Sequence, residues 1–274
     1  MVTCRIALAA ALGLFLAGAP VASRADSLTT TGNATATAIS ATAGTATAEA
    51  PAAVPQTLMD GLARHAASFE EMKRRGAFTM TGRMEEVDGD GKASDWKEIQ
   101  LRSTPTPAPM DRITNVFRYL DNGKDETADA QKRANERRAK RLQDPDKQAE
   151  ERKKDLKLPF FASEQPRYVF SIAERDVNRP GRVRVAFAPK TPAENAIKGS
   201  AWVDEAEREV LSIGFSLSKN PTFVDRVEIT IVFGLPTELG RAPSKVSFDG
   251  RGGFLFIRKH YRGTATLSEP RVAF

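Results

Sequence analysis

Few side chains in this sequence have the types and spacing that catalysis or metal binding requires. The two histidines, His65 and His260, fall in different predicted elements. The sequence contains no serine nucleophile elbow, no phosphate-binding loop and no histidine pair at metal-ligand spacing. The single cysteine, Cys4, lies before an N-terminal apolar run, so the rest of the chain has no thiol chemistry. We therefore predict a protein that is not an enzyme and holds no cofactor and no metal.

Two segments resemble site motifs only in part. Asp88 and Asp90 are spaced like the first ligands of a calcium-binding EF-hand, but Lys92 occupies the third ligand position and no flanking helix pair is evident. The glycine-rich residues 250–253 lie between two predicted strands, whereas a nucleotide-binding loop needs a helix after it. We predict a hairpin turn at each place, with calcium binding as the alternative at the first.

Alternation of apolar and polar residues dominates residues 198–233. Three runs there place apolar side chains on one face, and short polar gaps at residues 204–208 and 218–221 separate them. A period of two indicates half-buried strands, and short gaps indicate antiparallel neighbours. Gly199 and Ala201 are small residues on this face, so we expect them to leave room there. The same pattern recurs along the chain and predicts about ten or eleven antiparallel strands.

Two other segments carry helical patterns. Apolar residues recur at three- and four-residue steps in residues 56–76, which predicts an amphipathic helix docked on the apolar face of the sheet. Residues 124–157 hold twelve Lys/Arg and nine Asp/Glu. Over residues 125–157 we predict an inserted charged helical hairpin whose second helix starts at Pro145. Such a segment is usually a solvated surface, and the alternative is a docking site for anionic headgroups or an acidic partner. The candidate docking residues are Arg137, Arg138, Lys140 and Arg141.

The N-terminal region predicts export. Residues 1–25 have the pattern of a cleaved secretory signal peptide, with an uncleaved membrane anchor as the alternative. Residues 26–55 are rich in Thr and Ala and predict a disordered linker, which leaves one domain over residues 56–274. No cysteine follows the apolar run for lipid attachment, so we predict a periplasmic or secreted protein. The net charge of +6 is typical of an ordinary soluble surface; the alternative is transient contact with an anionic membrane surface, and the charge does not indicate nucleic acid.

The order of these elements resembles the periplasmic lipoprotein-carrier superfamily, the LolA/LolB-like proteins. Residues 199–204 (GSAWVD), a short acidic turn and residues 210–213 (VLSI) are similar to a hairpin common in that superfamily. Residues 82–92 and 119–124 are similar to a secreted bacterial branch of it. The resemblance covers roughly residues 56–270. It implies an antiparallel sheet that curls into a half-barrel over helices and leaves an apolar cavity.

We therefore predict an α+β fold, in which a curled antiparallel half-barrel packs on an N-terminal amphipathic helix and carries the charged helical insertion. The predicted function is that of an exported binding protein. Its partner is a lipid, the acyl chain of a lipid-modified protein or another apolar ligand, held on the inner face of the sheet. A fully packed core is the alternative to a cavity there. The predicted lining residues are Phe78, Met80, Met84, Val185, Phe187, Ile213, Phe215, Ile229 and Ile231.

Two other functions remain open at this stage. An envelope scaffold or sensor would bind a protein partner through the charged insertion. An outer-membrane barrel is suggested by the terminal Phe274, although Pro270 would interrupt the hydrogen bonds of that last strand.

Overall fold

The computed structural model describes residues 52–108, 111–143, 157–254 and 257–273. Within these residues, two α-helices lie against one sheet of eleven strands. The helices are α1 (Gln56–Arg75) and α2 (Thr127–Gln143). The strands are β1 (Gly76–Val87), β2 (Ala93–Pro105), β3 (Arg112–Asp121), β4 (Lys124–Asp125), β5 (Tyr168–Arg175), β6 (Arg182–Pro189), β7 (Ile197–Asp204), β8 (Glu209–Leu217), β9 (Val224–Thr237), β10 (Gly240–Phe254) and β11 (Ile257–Val272).

The sheet is open, and every pair of neighbouring strands is antiparallel. Its strand order is β4-β3-β2-β1-β11-β10-β9-β8-β7-β6-β5. Neighbours in the sheet are neighbours in sequence except at one place, where β1 pairs with β11. The predicted α+β fold, with a curled antiparallel sheet packed on an N-terminal helix, is confirmed.

Helix α1 covers the inner face of the sheet, where it contacts β1, β8 and β10. It begins after Pro55, and its buried side chains recur every three or four residues. These buried residues are Leu58, Met59, Leu62, His65, Ala66, Phe69 and Met72. They meet the apolar side chains of the strands, such as Phe233, whose ring centroid lies 5.5 Å from that of Phe69 in an edge-on arrangement.

A buried arginine closes the C-terminal end of α1. Arg112 of β3 donates hydrogen bonds to the carbonyl oxygens of Lys73 (2.8 Å) and Gly76 (2.6 Å). Carbonyls at a helix end lack partners within the helix, so an outside donor stabilises them. The same guanidinium donates to Ser103 Oγ (2.8 Å) and lies 5.1 Å from the centroid of the Phe78 ring.

Residues 157–164, here called the Phe160 loop, cover a second part of the inner face. Phe160 is fully buried. Its ring centroid lies 5.8 Å from that of Phe170, roughly parallel to it, and 5.7 Å from that of Phe187, edge-on. Gln165 Nε2 donates to the carbonyl oxygens of Phe160 (3.0 Å) and of Met59 in α1 (3.1 Å). The loop and the helix are thereby joined over the sheet.

Helix α2 closes one edge of the sheet beside β3. The edge strand β4 has only two residues, so it pairs with one end of β3. Along the rest of β3, Gln131 Oε1 accepts a hydrogen bond from the Val116 N–H (2.7 Å), and Gln131 Nε2 donates one to the Thr114 carbonyl (3.0 Å). Thr127 Oγ1 accepts from the Tyr119 N–H (2.9 Å). Side chains of α2 therefore supply hydrogen bonds that another strand would otherwise supply.

One sequence interpretation of the strands is wrong. Residues 250–253 do not form the turn between the last two strands, because they lie inside β10 and pair with β11. The hairpin closes further on, where Phe254 pairs with Ile257. Glycine-rich stretches usually mark turns, but this one continues the strand: a Cβ atom on Gly252 would lie 2.4 Å from the carbonyl oxygen of Phe223, whereas one on Gly250 would have no neighbour closer than 3.9 Å. The predicted signal peptide, all but the last residues of the linker and the predicted helix from Pro145 lie outside the described residues.

Candidate ligand-binding trough on the inner face

All nine predicted lining residues lie on the inner face, but their burial differs. Met84 is half-buried. The other eight are buried in one apolar cluster with residues of α1 and the Phe160 loop. They are Phe78, Met80, Val185, Phe187, Ile213, Phe215, Ile229 and Ile231. In this structure the chain's own side chains cover those eight, and their role in lining a ligand site stays a prediction.

The room expected at Gly199 is absent. A Cβ atom on this residue would lie 2.1 Å from the carbonyl oxygen of Gly214 on the neighbouring strand. The glycine therefore serves the close approach of two backbones and leaves no space for a ligand. Ala201 is buried in the packed cluster.

Half-buried apolar residues occur at a different part of the inner face, where β2, β1, β11 and β10 lie side by side. Glycines of β1, β11 and β10 lie among these side chains. We call this region the trough. Its residues are Gly82, Met84, Ile99, Phe248, Gly250, Tyr261, Gly263 and Ala265.

The strand register determines how the trough residues adjoin. Gly82 lies between Ile99 on β2 and Ala265 on β11. Two residues further along β1, Met84 pairs with Gly263. Directly paired residues have Cβ atoms about 5 Å apart, so these positions form one continuous surface. Because glycine has no side chain, the surface is lower at the glycine positions than at the larger residues beside them.

Two of the glycines have distinct surroundings. A Cβ atom on Gly263 would lie 2.3 Å from Cε1 of Phe248, because the phenyl ring lies across this glycine. A Cβ atom on Gly250 would have no neighbour closer than 3.9 Å, the carbonyl oxygen of Arg226, although Gly250 is buried. The surface above Gly250 therefore has room for additional carbon atoms.

Charged residues form the rim of the trough beyond Met84. Lys97 pairs with Met84 across β1 and β2, and its ammonium forms an ion pair with Asp121. Burial lowers the pKa of Lys97, but the hydrogen bond with Asp121 and nearby negative charges outweigh this effect, and the net shift is upward.

The rest of the rim lies one step further along the strands. Glu86 follows Met84 on the same face of β1, pairs with Asp95 and Tyr261 on its two sides, and forms an ion pair with Lys259. Its neighbour Asp95 accepts a hydrogen bond from the side-chain amide of Asn122.

Neither histidine belongs to this rim, although His260 lies between Lys259 and Tyr261 on β11, where it pairs with Val87 and Arg251 on the other face of the sheet. His65 is buried in α1 (5% exposed), and its ring lies edge-on to Phe233 with the centroids 5.2 Å apart. His260 Nε2 lies 2.8 Å from Asp249 Oδ2. At the predicted Asp88 turn, the carboxylate accepts hydrogen bonds from the backbone N–H groups of Asp90 and Lys92. Among the described residues, no group of three or more His, Cys, Asp or Glu is placed to hold a metal ion.

The four candidate docking residues of α2 differ in their surroundings. Arg138 Nε and Nη2 donate to the two carboxylate oxygens of Asp111 at 2.9 and 2.6 Å. The hydrogen bond from Arg138 lowers the pKa of Asp111, whose side chain is only 6% exposed. Arg138 thus anchors α2 to the sheet. Lys140 is exposed, while Arg137 and Arg141 are half-buried, and anionic docking by these residues stays a prediction.

Sequence reasoning identified only Met84 among the trough residues. Ile99 and Ala265 were placed on strands, but nothing in their local pattern distinguished them from core residues. The segment around Gly250 was taken for a turn, and Phe248, although it lay in a predicted strand, was not among the predicted lining residues. A usable signal was present, since apolar residues and glycines alternate from Val246 to Gly252 with the period of a strand.

Comparison with known proteins gives matches among solved structures. No protein-family model matches the chain, and no curated protein matches it. A domain from Vibrio parahaemolyticus assigned to outer membrane lipoprotein sorting is 12% identical, with 78% of this chain and 93% of that chain covered and a TM-score of 0.34. A LolA superfamily protein from Nitrosomonas europaea is 8% identical, with 82% and 95% covered and a TM-score of 0.31.

A third match is the MucA/MucB complex of Pseudomonas aeruginosa, at 12% identity, with 80% of this chain and 99% of that chain covered and a TM-score of 0.22. One of the matches therefore carries the superfamily name that the sequence resemblance suggested. Neither helix in the described part of the chain has the length and apolar character of a membrane-spanning helix.

Proposed function

We propose that this chain is an exported binding protein, not an enzyme, that holds a lipid or the acyl chain of a lipid-modified protein in the trough. The observation that carries the proposal is a half-buried apolar surface with glycines among its residues, on the part of the inner face formed by β2, β1, β11 and β10. A ligand that covered this surface would remove both its own apolar surface and that of the trough from water. Each buried methylene group contributes about 0.8 kcal/mol.

The side chains of the trough suit a flexible apolar ligand. Met84 has an unbranched, adaptable side chain, and Phe248 presents an aromatic ring beside it. Burial around the trough increases towards α1, where Met80, Leu101 and Leu267 are each less than 9% exposed. The apolar end of a ligand would therefore point towards α1, and its polar end would lie among the charged residues of the rim.

A substitution that fills the space above Gly250 tests whether the trough binds a ligand. Gly250→Val places two methyl groups where a ligand would lie, and no atom stands within 3.9 Å of the new Cβ position. We expect the variant to fold and to bind a fluorescent fatty-acyl probe at least about tenfold more weakly, a loss of about 1.4 kcal/mol. The matched control is Gly214→Val, since Gly214 is also a strand glycine with room for a Cβ, 3.7 Å from Thr230 Oγ1 on the opposite face.

Mass spectrometry of organic extracts from the purified full chain complements this test. Lipid at a stoichiometric level in the unmodified protein, and less of it in Gly250→Val, would support the proposal. Equal binding by both valine variants would place the ligand elsewhere. A chain that carries no lipid and ignores the probe would overturn the proposed function.

A further inference from the structure

The rim determines what the polar end of a ligand would meet. Glu86 stands two residues beyond Met84 on the same face of β1, and its direct neighbours across the sheet are Asp95 and Tyr261. Lys97 lies beside Met84, with Asp121 next to it on β3. A chain that lies along the trough with its apolar end towards α1 would therefore place its head within reach of these residues.

Negative charge exceeds positive charge on this rim. Among the described residues it carries three carboxylates, those of Glu86, Asp95 and Asp121, and two ammonium groups, those of Lys97 and Lys259. Both ammonium groups already donate to rim carboxylates, Lys97 to Asp121 and Lys259 to Glu86. A carboxylate has about four lone-pair sites and only accepts hydrogen bonds, whereas an ammonium group has three donors, so the three carboxylates and two ammonium groups of the rim offer more acceptors than donors.

We infer that the trough takes a single-chain amphiphile whose head donates hydrogen bonds and carries no negative charge, such as a hydroxyl-bearing monoacylglycerol. This inference rests on the proposed function and narrows its ligand class. Hydroxyl groups on the head can donate to Glu86, Asp95 and Asp121. A free fatty acid would instead bring a fourth carboxylate to a rim whose two cations are paired.

The experiment compares two probes with the same acyl chain, a monoacylglycerol and the corresponding free fatty acid, by titration calorimetry of the full chain below their micelle-forming concentrations. The titration is run at about pH 8.5, so that the fatty acid, with an ordinary carboxyl pKa of about 4 to 5, is ionised. We expect the monoacylglycerol to bind about tenfold more tightly at low salt. Added salt should narrow this difference, because it screens exposed charges.

Adjacent residues on β1 provide matched variants. Glu86→Gln removes one rim carboxylate, while Glu85→Gln makes the same change in net charge on the outer face, where Glu85 accepts from Arg83 and Arg262. We expect Glu86→Gln to raise the affinity for the fatty acid roughly fivefold, with little change for the monoacylglycerol. Glu85→Gln should leave both affinities unchanged.

The outcomes separate the inference from the proposed function. Equal or tighter binding of the fatty acid by the unmodified chain would overturn the head preference and leave the apolar site intact. Equal effects of the two glutamine variants would also overturn it, because the preference would then follow net charge and not the rim. Binding of neither probe would overturn the proposed function and the head preference together.

Discussion

At the scale of single residues, two of the buried polar side chains, Arg112 and His65, have contrasting surroundings. Arg112 is buried with partners, since it donates to two carbonyls at the end of α1 and to Ser103. Burial lowers the pKa of Arg112 to about 10, so the guanidinium stays charged at neutral pH. His65 is also buried, but its Nε2 has no hydrogen-bond partner among the described residues. The fold therefore favours a charged Arg112 and a neutral His65.

The neutral state of His65 predicts a loss of stability in acid. Burial, and then the positive charge of Arg241, lower the pKa of His65 from 6.5 to about 4. Above the unfolded pKa the imidazole is neutral in both states. As the pH falls from 6.5 towards 4, the unfolded chain binds a proton that the folded chain does not. The free energy of unfolding should therefore decrease by about 3 kcal/mol from this residue.

The measurement is urea unfolding of the full chain and of His65→Leu between about pH 7 and pH 4.5, an interval that begins above the ordinary histidine pKa of about 6.5 and ends below it. The variant should lose about 2–3 kcal/mol less than the unmodified chain, whatever its stability at neutral pH. His260→Gln is the control, because His260 is paired with Asp249 and not enclosed in the core. Parallel pH dependence in the unmodified chain and His65→Leu would show that His65 does not carry the effect.

At the scale of elements, α2 shows how a charged segment with few apolar residues is held on the sheet. Its many charged and few apolar residues are typical of a solvated helix, and Ala130 is its only buried residue. The helix is attached by hydrogen bonds that the side-chain oxygens of Gln131 and Thr127 accept from backbone N–H groups of β3, and by the ion pair between Arg138 and Asp111. These contacts occupy the face of α2 towards β3. They also protect an edge that could otherwise pair with another chain.

Gln131→Ala should weaken this attachment. It removes the acceptor for the Val116 N–H and the donor to the Thr114 carbonyl. We expect a loss of about 1–2 kcal/mol in the free energy of unfolding, since each such hydrogen bond contributes about 1 kcal/mol. Hydrogen exchange of the Val116 amide should become faster. Lys132→Ala, at the exposed next position of the same helix, should change neither quantity, and unaltered exchange in Gln131→Ala would contradict the role of Gln131.

At the scale of the whole molecule, the parts that sequence could predict are those in which local pattern and final environment agree. Val227, Ile229, Ile231 and Phe233 alternate in sequence and are all buried on one face of β9. Helix α1 was predicted to within one residue for the same reason. The pairing of β1 with β11 joins distant parts of the chain, and no local pattern encodes it. The resemblance to a known superfamily implied a single curled sheet, but the sequence analysis did not predict this pairing.

The candidate site was harder to predict because it depends on what the rest of the chain leaves uncovered. Phe187 and Met84 belong to the same kind of alternating pattern, yet Phe160 covers the first and the second remains half-buried. The floor of the trough is made of glycines, which contribute no apolar side chain to the pattern. Gly250 was therefore assigned to a turn, although its surroundings are those of a strand with space above it.

The dependence of the trough on the whole sheet leads to a thermodynamic prediction. The trough crosses β2, β1, β11 and β10, so it combines the first strands of the sheet with its last two and is absent from the unfolded chain. A ligand that binds only the folded state at a hundred times its Kd stabilises that state by about 2.7 kcal/mol. For a domain of this size, that corresponds to a rise in Tm of about 5–10 °C.

We expect a monoacylglycerol to produce this rise in the unmodified chain and in Gly214→Val, and a much smaller one in Gly250→Val. Thermal unfolding monitored by circular dichroism at several ligand concentrations measures it, and Tm should increase with concentration because binding and folding are linked. The variants without ligand provide the baseline for each comparison. If Gly250→Val gained the same increase as Gly214→Val, the ligand would be stabilising some other part of the molecule, and the trough would lose its place as the binding site.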